Sequence, residues 1–191
     1  MKGYMGKILL VDLTTGEIAT REVDDSVYWN YIGGIGLGAV VLSELIPRGA
    51  DPLGPDNVLG LVAGTLTGTG AMMTGRWLAV CKSPLTGGWG EANCGGNFAA
   101  AIKKCGVDGI FFVGQAKTPV YLFVGPEGPK LLDAGPFWGL DAVDAENALL
   151  NAHKDAKSPR AAVIGTAGER LSLISGIVND GGRIAARSGV G

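Results

Sequence analysis

Gly6-Lys7-Ile8-Leu9-Leu10-Val11-Asp12-Leu13-Thr14-Thr15-Gly16-Glu17 and the residues up to Val23 decide the fold. Lys7–Leu13 is rich in Ile, Leu and Val, Thr14-Thr15-Gly16 interrupts it, and a second extended run starts at Glu17. Two short strand-forming runs around a glycine-containing break predict a β-hairpin. The same order returns later in the chain. Val120–Val124, the break Gly125-Pro126-Glu127-Gly128 and Lys130–Asp133 form a second strand–turn–strand unit, with Gly128 in the place of Gly16.

Between the hairpins, Asp24-Asp25-Ser26 predicts a helix start, with Tyr28, Tyr31 and Ile32 on one face. The run Gly33-Gly34-Ile35-Gly36-Leu37-Gly38 follows, and Ala39–Leu45 is helical in pattern up to Pro47. Strands are predicted over Asn57–Ala63, Trp77–Cys81 and Gly109–Val113, with a helix over Asn97–Lys104 stopped by Gly106. After the second hairpin, Trp138 stands where Trp29 stood and Ala145–His153 matches the helix at Ala39–Leu45. Arg160–Gly165 matches the strand at Asn57–Ala63, and Gly181-Gly182-Arg183-Ile184-Ala185-Ala186 resembles Gly95-Gly96-Asn97-Phe98-Ala99-Ala100. The chain therefore reads as one α+β, β-rich domain over 1–191, with repeats at about 5–115 and 118–191. Chance similarity of glycine-rich segments is the alternative. The second repeat reaches Gly191 where a helix matching Asn97–Lys104 would still be running, so a truncated repeat and a non-natural C-terminus are expected. Unpaired strand positions in it would favour a strand-exchanged homodimer.

Composition narrows the classes. Glycine makes up 33 of 191 residues, more than twice the roughly 7% of average proteins. The glycines interrupt apolar runs, as tight turns and close backbone approaches require. Hydrophobic residues at 47% and charged residues at 18% exclude a disordered chain. A net charge of -2 and a pI near 5.4 argue against a nucleic-acid binder. No apolar run approaches the roughly 18 residues of a membrane span, and Met1–Val11 lacks a leader pattern, so no membrane association and a cytoplasmic setting are expected. Cys81, Cys94 and Cys105 are too widely spaced for a ligand pair and read as three buried thiols. His153, the one histidine, reads as part of a solvated helical face.

Four segments could carry chemistry. Gly34-Ile35-Gly36-Leu37-Gly38 has neither the spacing nor the preceding strand of a dinucleotide loop, which favours close helix packing. Arg76 lies where a strand begins after small residues, and either presents a five-donor fork to an anion or is a solvated edge residue. Gly87-Gly88-Trp89-Gly90-Glu91-Ala92-Asn93-Cys94-Gly95-Gly96-Asn97 reads as a long loop whose amides approach a large ligand, or as an ordinary loop. Asn179-Asp180-Gly181-Gly182-Arg183-Ile184-Ala185-Ala186-Arg187 places Arg183 and Arg187 four apart, which on a helix gives one face suited to a diphosphate, or two exposed charges. No catalytic residue is assigned.

In register, Gly6–Glu17, Tyr31–Gly38, Thr74-Gly75-Arg76, Cys81-Lys82-Ser83-Pro84-Leu85-Thr86-Gly87-Gly88 and Arg183–Arg187 resemble the N-terminal domain of the aldehyde ferredoxin oxidoreductase family, over essentially the whole chain. The resemblance implies two intertwined pseudo-symmetric repeats, built as two mixed sheets with short helices, that form a base for a tungsten or molybdenum bis-pterin. It implies an oxidoreductase that oxidises aldehydes to carboxylic acids and passes electrons to ferredoxin. By the same resemblance Arg76 contacts a pterin near a [4Fe-4S] cluster. Asn93 and Gly95 bind one phosphate region, and Arg183, Ile184, Ala186 and Arg187 bind the other. A magnesium ion takes backbone carbonyls of Asn93 and Ile184. The family pattern more often has glycine at Ala186, where alanine adds a methyl near the ligand at that residue's backbone contact. The cluster cysteines, substrate pocket and general acid or base belong to later helical domains absent here, so the isolated chain is expected to be inactive. Two alternatives stay open: a non-catalytic binding or assembly module of the same fold, and a family member acting on another substrate such as an aromatic thioester.

Overall fold

The computed structural model describes residues 3–191; Met1 and Lys2, part of the N-terminal stretch inspected for a leader, lie outside the described residues. The opening hairpin forms as expected, with β1 (Lys7–Asp12) antiparallel to β2 (Ile18–Glu22). Asp12 Oδ1 accepts the N–H groups of Thr14 at 2.7 Å and Thr15 at 3.2 Å, and Gly16 takes φ +78°. These backbone bonds hold the Asp12 carboxyl below the usual carboxylate range. Beyond the hairpin, β1 runs parallel to β6 (Gly109–Val113). β6 is antiparallel to β3 (Leu59–Ala63), which pairs with β4 (Trp77–Lys82), which pairs with β5 (Trp89–Cys94). The result is one mixed sheet of six strands in the order β2-β1-β6-β3-β4-β5.

Each face of this sheet buries its own core, because side chains alternate along a strand. On one face, α1 (Asp25–Tyr31) and α2 (Ile35–Leu45) pack Tyr28, Leu37, Val41 and Leu42 against Ile8, Val62, Val80 and Phe111. Gly60 makes room for this packing, since a Cβ there would lie 2.6 Å from the Phe111 ring. Asp24 caps α1 through Ser26 N at 2.8 Å. Of the three residues assigned to one face of α1, Tyr28 alone is buried. The helix ends after Tyr31, and Ile32 at φ +67° turns out to solvent. The glycine run serves packing, as its spacing implied: α2 begins inside it, and a Cβ on Gly36 would stand 2.1 Å from Tyr31 O.

On the other face, Leu9, Val11, Trp77, Cys81 and Cys94 share a core with α3 (Phe98–Lys104) and with the second half of the chain. There β7 (Val120–Gly125) and β8 (Gly128–Asp133) form the second hairpin, with Gly128 at φ +97°. After α4 (Ala142–Ala152) come β9 (Ala162–Val163), the single turn α5 (Thr166–Glu169), β10 (Ile177–Asn179) and β11 (Arg183–Ala185). The last three strands form an antiparallel sheet in the order β11-β10-β9. The domain is α+β, with one mixed sheet of six and two smaller antiparallel sheets facing it.

Three expectations are corrected. Arg183–Ala185 is a strand, so Arg183 and Arg187 do not share a helical face. Asn179 pairs with Arg183 across a turn in which Asp180, Gly181 and Gly182 take φ +47°, +71° and +117°, a hairpin geometry that a helix cannot contain. Cys81 and Cys94 are buried, but Cys105 is exposed at the end of α3. His153 is not on a solvated face: its ring stacks on Phe123 at 4.3 Å and its Nε2 lies 2.9 Å from Tyr121 Oη.

A buried ionic node ties the start of the described chain to the sheet. Asp108 Oδ2 accepts Met5 N and Gly6 N at 2.9 Å and Tyr28 Oη at 2.7 Å, while Oδ1 accepts Lys103 Nζ. Lys103 Nζ also donates to Gly3 O at 2.9 Å. Burial and the Asp108 charge push the Tyr28 phenol well above its usual range. Asp108→Ala strands the Lys103 charge and three further donors, and is expected to cost about 3–5 kcal/mol in urea unfolding. Lys103→Met leaves Asp108 with its three other donors and is expected to cost clearly less. Equal losses would show that the Lys103–Asp108 ion pair outweighs the three other bonds to the carboxylate.

Candidate functional site

The β4–β5 ladder sets Trp77 opposite Cys94 and Leu78 opposite Asn93. Arg76, one residue before β4, therefore lies beside the end of β5, and its Nη1 donates to Asn93 Oδ1 at 2.6 Å. β5 is the outer strand of the six-stranded sheet, β11 is the outer strand of the three-stranded sheet, and the two pack together. Glycine lets them meet. A Cβ on Gly95 would lie 3.6 Å from Arg183 Nη1. One on Gly96, at φ +112°, would stand 2.1 Å from Asp180 Oδ2 and 2.7 Å from Asn179 Nδ2.

Four sequence-predicted residues thus converge at one seam: Arg76, Asn93 and Gly95 from the first half, and Arg183 from the second. Ile184 pairs with Val178 and is 49% exposed, Ala186 is half-buried, and Arg187 leaves the strand exposed at φ +78°. Among the described residues, the guanidinium groups of Arg183 and Arg187 make no hydrogen bond or ion pair, whereas Arg160 lies 3.5 Å from Asp180. The uncommitted Arg183 fork beside the glycines suits an anionic ligand. Among the described residues, no group of three or more His, Cys, Asp or Glu side chains could hold a metal ion. No described helix is long and apolar enough to cross a membrane.

The long loop expected over Gly87–Asn97 is mostly strand β5. Its ladder with β4 takes up one edge of the backbone, leaving the outer edge and the Gly95-Gly96 turn to face β11. Sequence reasoning also missed the groups that hold the seam. Asn179 is fully buried; its Nδ2 donates to Gly95 O at 3.3 Å and to Asp180 Oδ2 at 3.1 Å. Asn179 Oδ1 accepts the Cys94 thiol at 3.0 Å. Burial pushes that thiol up, against the pull of nearby Arg183 and Arg76, so at neutral pH it remains a donor. Asp180 Oδ2 accepts the Asn97 N–H, and buried Glu146 accepts Gly181 N–H at 2.9 Å. The signal available was Asn179-Asp180-Gly181-Gly182, a turn sequence.

Residues 8–191 match the family model of the aldehyde ferredoxin oxidoreductase N-terminal domain. The chain belongs to the aldehyde ferredoxin oxidoreductase family. It is similar to the tungsten-containing aldehyde ferredoxin oxidoreductase of Pyrococcus furiosus, with 39% identity over 191 residues, and to that of Thermococcus kodakarensis, with 40% over 192. In both cases the match covers all of this chain and 31% of the relative, so the chain spans about a third of the length of these relatives. An aliphatic sulfonate oxidoreductase, WOR-like subunit, of P. furiosus is 35% identical over 78% of the chain and 24% of that relative. Among solved structures, the fold is similar to the active-site complex BamBC of benzoyl coenzyme A reductase with bound 1,5-dienoyl-CoA. That match has a TM-score of 0.94 and 30% identity, over 99% of this chain and 29% of the other.

Two outcomes test the seam of this aldehyde ferredoxin oxidoreductase domain. Gly96→Ala combines a disfavoured φ with a clash against Asp180, and is expected to lower stability by roughly 2–3 kcal/mol in thermal unfolding. Gly181→Ala, with nothing within 4 Å of its new Cβ, should lose only about 1 kcal/mol, from left-handed strain alone. Separately, Ellman's reagent should titrate Cys105 quickly in the folded protein, and Cys81 and Cys94 only after denaturation. Fast reaction of Cys94 would contradict its buried bond to Asn179.

Proposed function

We propose that this domain cradles the phosphate ends of a tungstopterin, or its molybdenum counterpart, in an oxidoreductase that oxidises aldehydes to carboxylic acids with ferredoxin as electron acceptor. The observation that carries the reading is the meeting of Arg76, Asn93, Gly95 and Arg183 across the β5–β11 seam, with the Arg183 and Arg187 forks uncommitted. The residues fit the group. Several buried phosphate charges need matched cationic donors and backbone that can come close, and Gly95 stands within side-chain contact of Arg183.

In this reading Arg183 and Arg187 take the phosphates, and Gly95 lets the backbone approach them. Arg76, steadied by Asn93, reaches the pterin. Asn93 and Ile184 sit on outer strands of two sheets that face each other. Alternate carbonyls of such edge strands have no ladder partner, which supports magnesium ligation by these two backbone carbonyls. Ala186 contributes a backbone contact. The metal centre, when bound, supplies the two-electron chemistry, and this domain's residues supply position and countercharge. The [4Fe-4S] cluster is assigned to protein outside this chain, because its three cysteines lie apart and two are buried. The cytoplasm is the proposed setting, consistent with three free thiols.

The same reading treats the two halves of the chain as repeats. The succession β2-β1 then β3-β4-β5 in the large sheet has its counterpart in β8-β7 and β9-β10-β11. A homodimer in which one copy covers the free strand edges of the other is the proposed assembly. A second substrate reading is favoured by one observation: relatives of this fold include a protein named an aliphatic sulfonate oxidoreductase and a benzoyl coenzyme A reductase complex.

The cradle is tested by tungsten content. Arg183→Ala and Arg76→Ala, each removing a charge-assisted contact of about 1.5–3 kcal/mol, should weaken cofactor retention roughly tenfold or more. The readouts are metal analysis of protein purified from tungstate-grown cells and aldehyde-dependent ferredoxin reduction. Full tungsten occupancy in both variants would remove the cradle from this seam.

A further inference from the structure

We infer that Asp180, working through Asn97 and supported by Asn179 and Glu146, is a positioning residue that sets the distance between the two halves of the phosphate cradle. The inference rests on the cradle reading above. Asp180 lies at the tip of the β10–β11 hairpin at φ +47°, a left-handed turn conformation that aspartate accepts more readily than most residues. Its carboxylate crosses to the first half of the chain, where Oδ2 accepts the Asn97 N–H. The same oxygen accepts Asn179 Nδ2 at 3.1 Å, and Arg160 lies 3.5 Å from Oδ1.

The clamp is built from both sides. Asn179, with no solvent exposure, ties Gly95 O and the Cys94 thiol to β10. Glu146, 2% exposed on α4, holds the far side of the turn by accepting Gly181 N–H at 2.9 Å. Arg183 follows the turn directly, opposite Asn179 in the ladder. The bonds that fix the turn therefore fix where the Arg183 fork stands relative to Asn93 and Gly95. Gly96 makes the clamp feasible, because any Cβ there would displace the Asp180 carboxylate.

The carboxylate serves here as a hydrogen-bond acceptor rather than as a ligand. A negative group facing bound phosphate would repel it, but Asp180 directs its charge to Asn97, Asn179 and Arg160. This leaves Arg183 uncommitted. An isosteric amide can keep the acceptor oxygen, whereas alanine cannot.

The test compares Asp180→Asn with Asp180→Ala in protein purified from tungstate-grown cells. It follows tungsten loss during dialysis and amide hydrogen exchange at Asn97. Asp180→Ala should release tungsten about tenfold faster or more, the range seen when groups that orient ligands are removed. It should also open the Asn97 amide to exchange. Asp180→Asn should restore both towards the parent protein. Asp180→Ser, too short to reach Asn97, replaces the alanine variant if that protein does not fold. Parent-like tungsten retention in the alanine or serine variant overturns the inference, as does equal loss in the asparagine variant. Arg183→Ala separates the two levels. If it keeps its tungsten, the cradle reading itself fails and this inference with it. If it loses tungsten while Asp180→Ala does not, the clamp alone is wrong.

Discussion

The side chains of Asn179 and Asp180 fill the space that a side chain at Gly96 would need. That close approach is the constraint on which the seam depends. Two sheet edges, β5 and β11, belong to different halves of the chain, and no ladder joins them. What joins them is a small set of polar bonds around Asn179 and Asp180, enclosed by the shared core of Trp77, Cys94, Ile177 and Ala185. Buried polar groups are costly unless paired. Here the thiol, the Asn179 amide and the Asp180 carboxylate satisfy one another, so they specify one arrangement rather than several.

The charges are divided in a way that follows from this. Both acids that hold the seam are occupied: Asp180 by Asn97, Asn179 and Arg160, and Glu146 by Gly181. Among the described residues, exposed Arg183 and Arg187 have no such partner. Exposed guanidinium groups without acidic partners add local positive charge whatever the overall charge of -2. Net charge argued against a nucleic-acid surface, yet says nothing about a local anion site. The node around Asp108 plays a different part. It anchors the start of the described chain beneath α1 and lies on the α3–β6 connection, away from the seam.

Family membership bounds the chemistry without choosing it. Relatives that share this domain carry names for aldehyde, sulfonate and coenzyme A thioester chemistry. The domain is common to them, while it makes up about a third or less of each. One domain can be shared by proteins of different chemistry, because fold and reaction are separable. The proposed cradle concerns holding, and it is silent on substrate for that reason.

The sequence alone determined the local elements. Alternating and branched residues made β1 and β7 strands, Thr14-Thr15-Gly16 and Pro126-Glu127-Gly128 made turns, and Asp24 made a helix cap. These are short-range effects of backbone sterics and near-neighbour hydrogen bonds, legible at a separation of a few residues. The resemblance of five motifs in register also singled out Arg76, Asn93, Gly95 and Arg183, although it could not show them together. The tertiary structure decided that the glycine-rich stretch from Gly87 to Asn97 is no long loop, because a ladder with β4 makes Trp89–Cys94 a strand. It decided likewise that Arg183–Ala185 is a strand rather than a helix start. It also decided that Asn179 and Asp180 bridge to residues more than eighty positions earlier. Gly181-Gly182-Arg183-Ile184-Ala185-Ala186 and Gly95-Gly96-Asn97-Phe98-Ala99-Ala100 look alike as text, and one forms a strand and the other begins a helix. Their local preferences are nearly the same, so the packing partner sets the outcome: the β10 hairpin arm for the first, the sheet face for the second.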